Sequence, residues 1–161
     1  MIILEGCDAA GKTTVLMHLA QKFKLAINRS YYRATQAHEI VDYHNWIRSC
    51  PQRLILDRHP AISDLVYGPI LRGYTPSTMR FARSVNNTSF VIFCSPPLQT
   101  IQANLHNEEQ LEGVDKNLLA IYHAYEDLME TLAPSFTYDY TDRSQLPLLE
   151  ERVSDYLRST R

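Results

Sequence analysis

Gly6-Cys7-Asp8-Ala9-Ala10-Gly11-Lys12-Thr13 satisfies every fixed position of G-x-x-x-x-G-K-[ST], the pattern of a loop that cradles phosphates. The residue types explain the chemistry. Glycines let the backbone N–H groups turn inward, a lysine brings charge to the β- and γ-phosphates, and the Thr13 hydroxyl offers a ligand to Mg²⁺. Together with Thr14, the whole stretch from Gly6 is expected to contact the triphosphate of ATP. A chance glycine-rich turn capping a buried helix is the structural alternative, but it has no use for a lysine followed by a hydroxyl.

Such a loop works only between a strand and a helix, with the helix N-terminus facing the anion. Met1 to Glu5 is a short apolar run, and Val15, Leu16, Leu19, Ala20 and Phe23 recur at helical spacing. A second strand is expected near Ser30 to Arg33, and a helix from Glu39 to Arg48 that Cys50-Pro51 stops. Arg53 to Asp57 is an apolar run ending in an acid. A buried parallel strand has this form, and its carboxyl end is where such sheets hold ligands, so Asp57 is placed there as a second Mg²⁺ contact. A short helix is expected from about Ile62, bent or ended by Gly68-Pro69, and another opening at Pro76-Ser77, with Arg80 and Arg83 on one face. Ser89 to Cys94 reads as a buried strand and Ser95-Pro96-Pro97 as a helix start. A polar lid is expected over residues 105–114, then a strongly periodic helix from Leu118 to Leu132. A last strand, Phe136 to Tyr140, and a helix from about Leu146 to Leu157 close the chain. This alternation predicts an α/β fold in three layers, a parallel sheet of about five strands with helices on both faces, as one domain over residues 1–161.

Composition narrows the function classes. A formal charge of −2 over 161 residues gives no global attraction to nucleic acid or membrane, and no apolar run reaches spanning length. Three cysteines without C-x-x-C spacing, and no leader before the first strand, fit a reducing, cytoplasmic setting. Six scattered histidines lack metal-binding spacing. Positive charge is concentrated mid-chain: eight Arg against four acids lie between Arg29 and Arg83, so this part is suited to an anionic acceptor.

The loop aspartate Asp8 and the pair Asp57-Arg58 after a buried strand resemble the thymidylate kinase family of nucleoside and nucleotide monophosphate kinases. The similarity extends to Arg33, to Ser63, to the proline-rich start after the fourth strand and to the Tyr-x-x-Tyr-Glu-x-Leu run at Tyr122 to Leu128. Asp-Arg-His-Pro with Tyr67-Gly68-Pro69 downstream resembles small bacteriophage kinases, which implies the host cytoplasm as the setting; a homodimer is left open. The resemblance implies that Asp8 bonds a sugar hydroxyl of the acceptor, that Asp57 and Arg58 serve Mg²⁺-linked water and acceptor phosphate, and that Arg33, Arg80 and Arg83 clamp that phosphate. It makes Lys12, Asp8, Asp57 and Arg58 the catalytic group and adds Arg143 to the donor contacts.

Structural alternatives stand beside these roles: Asp57 as a turn cap, Arg58 as its ion-pair partner, Arg80 and Arg83 as a solvated face. Tyr31, Tyr32 and Phe81 are stacking candidates for a base or simply core. The family stabilises the transferring group with an arginine in the loop or the lid. Here the loop carries Ala9 and Ala10, and residues 105–114 contain no Arg or Lys. Three functions follow: a kinase of a thymidine-type deoxynucleotide, with Arg72, Arg80 or Arg143 supplying the missing charge; a kinase of the hydroxymethyl group of 5-hydroxymethyluracil within DNA; or a non-catalytic nucleotide-binding protein.

Overall fold

A computed structural model describes residues 1–29, 34–105 and 112–160. The described chain runs β1 (Ile2–Glu5), α1 (Lys12–Phe23), β2 (Ala26–Asn28), α2 (Ala37–Ser49), β3 (Leu54–Asp57) and α3 (Pro60–Tyr67), followed by a π-helical turn (Gly68–Arg72). It continues with α4 (Met79–Asn87), β4 (Phe90–Cys94), α5 (Leu98–Leu105), α6 (Val114–Leu132), β5 (Phe136–Tyr138) and α7 (Gln145–Ser159). The strands form one parallel sheet in the order β2-β3-β1-β4-β5. The three-layer α/β architecture expected from strand and helix alternation is present.

Burial explains the strand sequences. β1 and β4 are central and buried along their whole length, so they are apolar at nearly every position rather than at alternate ones. β2 and β5 are short edge strands with partly exposed residues. α1 and α7 share one face of the sheet and are joined through His18 and Glu150, whose Nε2 and Oε1 lie 2.6 Å apart. On the other face the α2 residue His44 meets His59 just before α3 and Phe81 of α4. Tyr67 of α3 meets Tyr125 of α6 edge-on.

Ala26–Asn28 forms an edge strand that pairs Ile27 with Ile55. The strand expected near Ser30 to Arg33 falls on residues outside the described set. Helix starts differ from the expected ones: α4 begins at Met79, after the Thr78 cap, rather than at Pro76-Ser77. Helix α3 begins at Pro60 instead of near Ile62, because His59 caps it by accepting a hydrogen bond from the Ala61 N–H at 3.1 Å. Pro69 then removes an N–H just past the end of α3, and the chain widens into the π turn.

Sheet order fixes where a ligand can bind. The chain leaves β1 toward β2 and β3, then crosses back to β4 and β5, which makes the carboxyl end of β1 a topological switch point. The register places Leu4 opposite both Asp57 and Ile92, so residues 6–14, Asp57 and Arg58 emerge side by side. No described helix is long and apolar enough to cross a membrane.

Candidate active site

The loop leaving β1 is shaped by close approaches. Gly6 has φ +136°, and a Cβ there would sit 2.4 Å from the Cys94 carbonyl oxygen, so glycine is required where the loop crosses β4. Gly11, φ +76°, lies against the Tyr140 ring, which an added Cβ would approach to 2.7 Å. Ala9 is also left-handed, at φ +58°. Cys7 and Ala10 are buried; burial pushes the Cys7 thiol up to about 12, and it stays neutral. No side chain caps α1, so its first N–H groups face the loop's concavity and suit an anion.

Lys12 is buried, and its Nζ donates to the Cys7 carbonyl within the loop. Burial and then the Arg58 charge lower its pKa. Thr13 and Thr14 are exposed at the start of α1. Asp57 stands at the end of β3, and its Oδ1 is buried with no hydrogen-bond partner among the described residues. An orphaned carboxylate oxygen beside a phosphate-type loop fits a hard cation that takes oxygen ligands, which is the chemistry of Mg²⁺. Its neighbour Arg58 does not pair with it.

Arg58 turns instead toward the loop. With φ +69° it sits in the left-handed region, and its Nη2 reaches Asp8 Oδ1 at 3.0 Å, the Gly6 carbonyl at 3.2 Å and the Tyr67 hydroxyl at 2.7 Å. Tyr67 donates to Asp8 Oδ2 at 2.8 Å, and the guanidinium carbon lies 4.8 Å from the Tyr67 ring centre. Burial alone would raise the Asp8 carboxyl; the Arg58 and Lys12 charges and the Tyr67 hydroxyl outweigh it and hold it below the usual carboxylate range. Arg58 Nε is buried without a partner among the described residues. The arrangement is thus a fixed anion, Asp8, beside a guanidinium that retains an unused donor.

Among the described residues, Arg72, Arg80, Arg83 and Arg143 are not brought to this cluster. Arg80 and Arg83 are exposed on α4, whose buried face is Ala82, Val85 and Asn86. Arg143 is exposed in the turn before α7. Arg72 is anchored, its Nη2 3.0 Å from the buried Asp64 Oδ1 and its guanidinium 5.6 Å from the Tyr74 ring centre. Arg33, Tyr31 and Tyr32 lie outside the described residues, as does most of the expected lid, residues 106–111.

Behind the loop is a cavity of about 460 Å³ lined by Ala9, Gly11, Thr14 and Val15 on one side and Asn104, Tyr138 and Tyr140 on the other. The Asn104 amide donates to the Tyr140 hydroxyl at 2.6 Å, which fixes the ring as one wall. Sequence reasoning missed this wall, the Tyr67 hydroxyl, and Glu5. Glu5 had a visible signal, an acid ending a strand that is otherwise apolar. Its carboxylate is fully buried, accepting from the His59 N–H at 2.8 Å and the Tyr125 hydroxyl at 3.1 Å.

No family model and no curated protein matches the chain. Solved structures do. The YorR protein from Bacillus subtilis, in complex with phosphorylated GDP, superposes with a TM-score of 0.72 at 21% identity, covering 92% of this chain and 95% of that one. The fold is that of the P-loop kinases. Deoxyadenosine kinase from M. mycoides with bound dATP gives a TM-score of 0.61 at 15% identity, over 95% of this chain and 98% of that one. Shikimate kinase from Bacteroides thetaiotaomicron gives 0.52 at 16% identity, over 98% and 97%. At these identities the likeness is one of fold.

Proposed function

We propose that the protein is an ATP- and Mg²⁺-dependent kinase that phosphorylates a thymidine-type deoxynucleotide. The observation that carries this reading is the P-loop tied through Asp8 to Arg58 and Tyr67, with the orphaned Asp57 oxygen at the end of the strand paired with β1. In the proposal the ATP base occupies the cavity walled by Tyr140, and its phosphates run along the N–H groups of residues 6–14. The Lys12 ammonium exchanges its Cys7 carbonyl for phosphate oxygens. Thr13 and Asp57 would hold Mg²⁺. Bound there, the ion would supply positive charge against that of the phosphates.

On the acceptor side, Arg58 brings its guanidinium charge to the monophosphate, while Asp8, pinned by Arg58 and Tyr67, is an ionised acceptor for a sugar hydroxyl. The kinase of M. mycoides with bound dATP supports a deoxynucleotide ligand on this fold. The thymidine assignment rests on the Asp8 and Asp57-Arg58 motifs. Phosphoryl transfer needs mostly positioning and charge neutralisation, and Lys12 and Arg58 supply two cations there.

Incubation with labelled MgATP and a panel of acceptors tests the proposal. Thymidine monophosphate is expected to become the diphosphate, and Lys12→Ala to lose about a hundred- to a thousandfold in rate. Label appearing only on DNA containing 5-hydroxymethyluracil, or nowhere, contradicts it.

A further inference from the structure

We propose that Glu5 is the positioning residue for Arg58, setting both the backbone and the guanidinium of the side chain that receives the acceptor phosphate. This rests on the kinase reading above. Arg58 occupies a left-handed conformation that an L-residue with a Cβ adopts only when its surroundings impose it. Two bonds from β1 bracket that kink: the Arg58 N–H donates to the Leu4 carbonyl at 2.9 Å, and the next N–H, of His59, donates to Glu5 Oε1 at 2.8 Å. Leu4 uses its backbone and holds the entry of the turn, whereas Glu5 uses its side chain and holds the exit.

The second carboxylate oxygen controls the other end of the arginine. Glu5 Oε2 accepts from the Tyr125 hydroxyl at 3.1 Å, and the Tyr125 ring stands edge-on to Tyr67 with centroids 5.9 Å apart. Tyr67 in turn lies beneath the guanidinium and accepts from its Nη2. A single buried carboxylate therefore ties β1 to the turn after β3 and, through α6 and α3, to the ring beneath Arg58. A carboxylate needed only for packing has no reason to divide its oxygens between the two determinants of one side chain. Nothing in this role requires its charge: a glutamine offers an oxygen to His59 and an N–H₂ to the Tyr125 oxygen.

The test is steady-state kinetics of wild type, Glu5→Gln and Glu5→Ala, varying thymidine monophosphate at saturating MgATP and then the reverse, on protein shown folded by thermal unfolding. Glu5→Gln is expected to keep both KM values within about threefold, while Glu5→Ala raises KM for the monophosphate roughly ten- to a hundredfold and leaves KM for MgATP unchanged. Should Glu5→Ala not fold, Tyr125→Phe removes only the Oε2 bond and is expected to raise the monophosphate KM severalfold with the MgATP KM unchanged. Equal losses for both substrates, an acceptor KM unmoved in folded Glu5→Ala or Tyr125→Phe, or Glu5→Gln as impaired as Glu5→Ala each overturn the inference while leaving the kinase reading intact. Wild-type protein that transfers phosphate to no monophosphate overturns the kinase reading, and this inference with it.

Discussion

Arg58 and Asp8 form a nearly buried ion pair, with side-chain exposures of 10% and 15%, in which each partner satisfies the other's desolvation. Removing only one leaves a charge in an apolar setting. Arg58→Ala is expected to destabilise the fold by about 3 kcal/mol, measured by chemical denaturation, and the double variant Arg58→Ala/Asp8→Ala by less. Two other buried groups set opposite pH dependences. Burial raises Glu5 to about 7 against the hydrogen bond from His59 and the Arg58 charge, so its contribution to stability is complete below its ordinary value of 4.5 and is lost as pH rises through about 7. Burial lowers His59 to about 3, with the nearby His44 adding to the shift, so its contribution is present above 6.5 and lost as pH falls toward about 3. Between pH 4.5 and 6.5 the two slopes oppose each other and nearly cancel. Stability of Glu5→Gln should therefore rise with pH across that window more steeply than that of wild type, by at most about 1.4 kcal/mol per unit; an unchanged profile contradicts this assignment.

Among the elements, the turn between β5 and α7 has the most specific role. Asp139 accepts from the Thr141 N–H and hydroxyl at 2.8 and 2.7 Å, and Asp142 from those of Ser144 at 2.9 and 2.7 Å, so the turn is rigid and holds Tyr140 against Gly11. Base–aromatic stacking contributes about 1–3 kcal/mol. Tyr140→Ala is accordingly expected to raise KM for MgATP by about tenfold or more with the acceptor KM little changed, and Tyr140→Leu to recover only part of the loss. The π turn after α3 serves the opposite side. Gly68 packs so closely that a Cβ would lie 2.6 Å from the Tyr74 carbonyl, and Arg72 is bonded back to Asp64. This holds the cation on the α3 unit and removes the freedom to swing that a missing loop or lid arginine would require of it.

At the level of the whole molecule, sequence spacing revealed the layers because a sheet buried on both faces demands apolar runs such as Phe90–Cys94, and helices facing it demand the period seen from Val114 to Leu132. The P-loop was legible because its glycines and Lys12 are constrained by chemistry at fixed spacing. The partner of Arg58 was not: Asp57 is its neighbour in sequence, but alternation of side chains along an extended strand and the left-handed turn send the two apart, and Asp8 arrives from fifty residues away. Tyr140 and Asn104 were equally hidden, since their meeting depends on β5 and α5 lying together beyond the carboxyl end of β4. Every functional role above depends on the P-loop holding a triphosphate at the switch point of this sheet. Titration calorimetry of MgATP into wild-type protein and Lys12→Ala measures that directly. One site per chain is expected in the wild type, weakened in the folded variant by 2 kcal/mol or more, about thirtyfold in Kd; no binding heat across temperatures in folded wild type, or equal affinity in both, contradicts it.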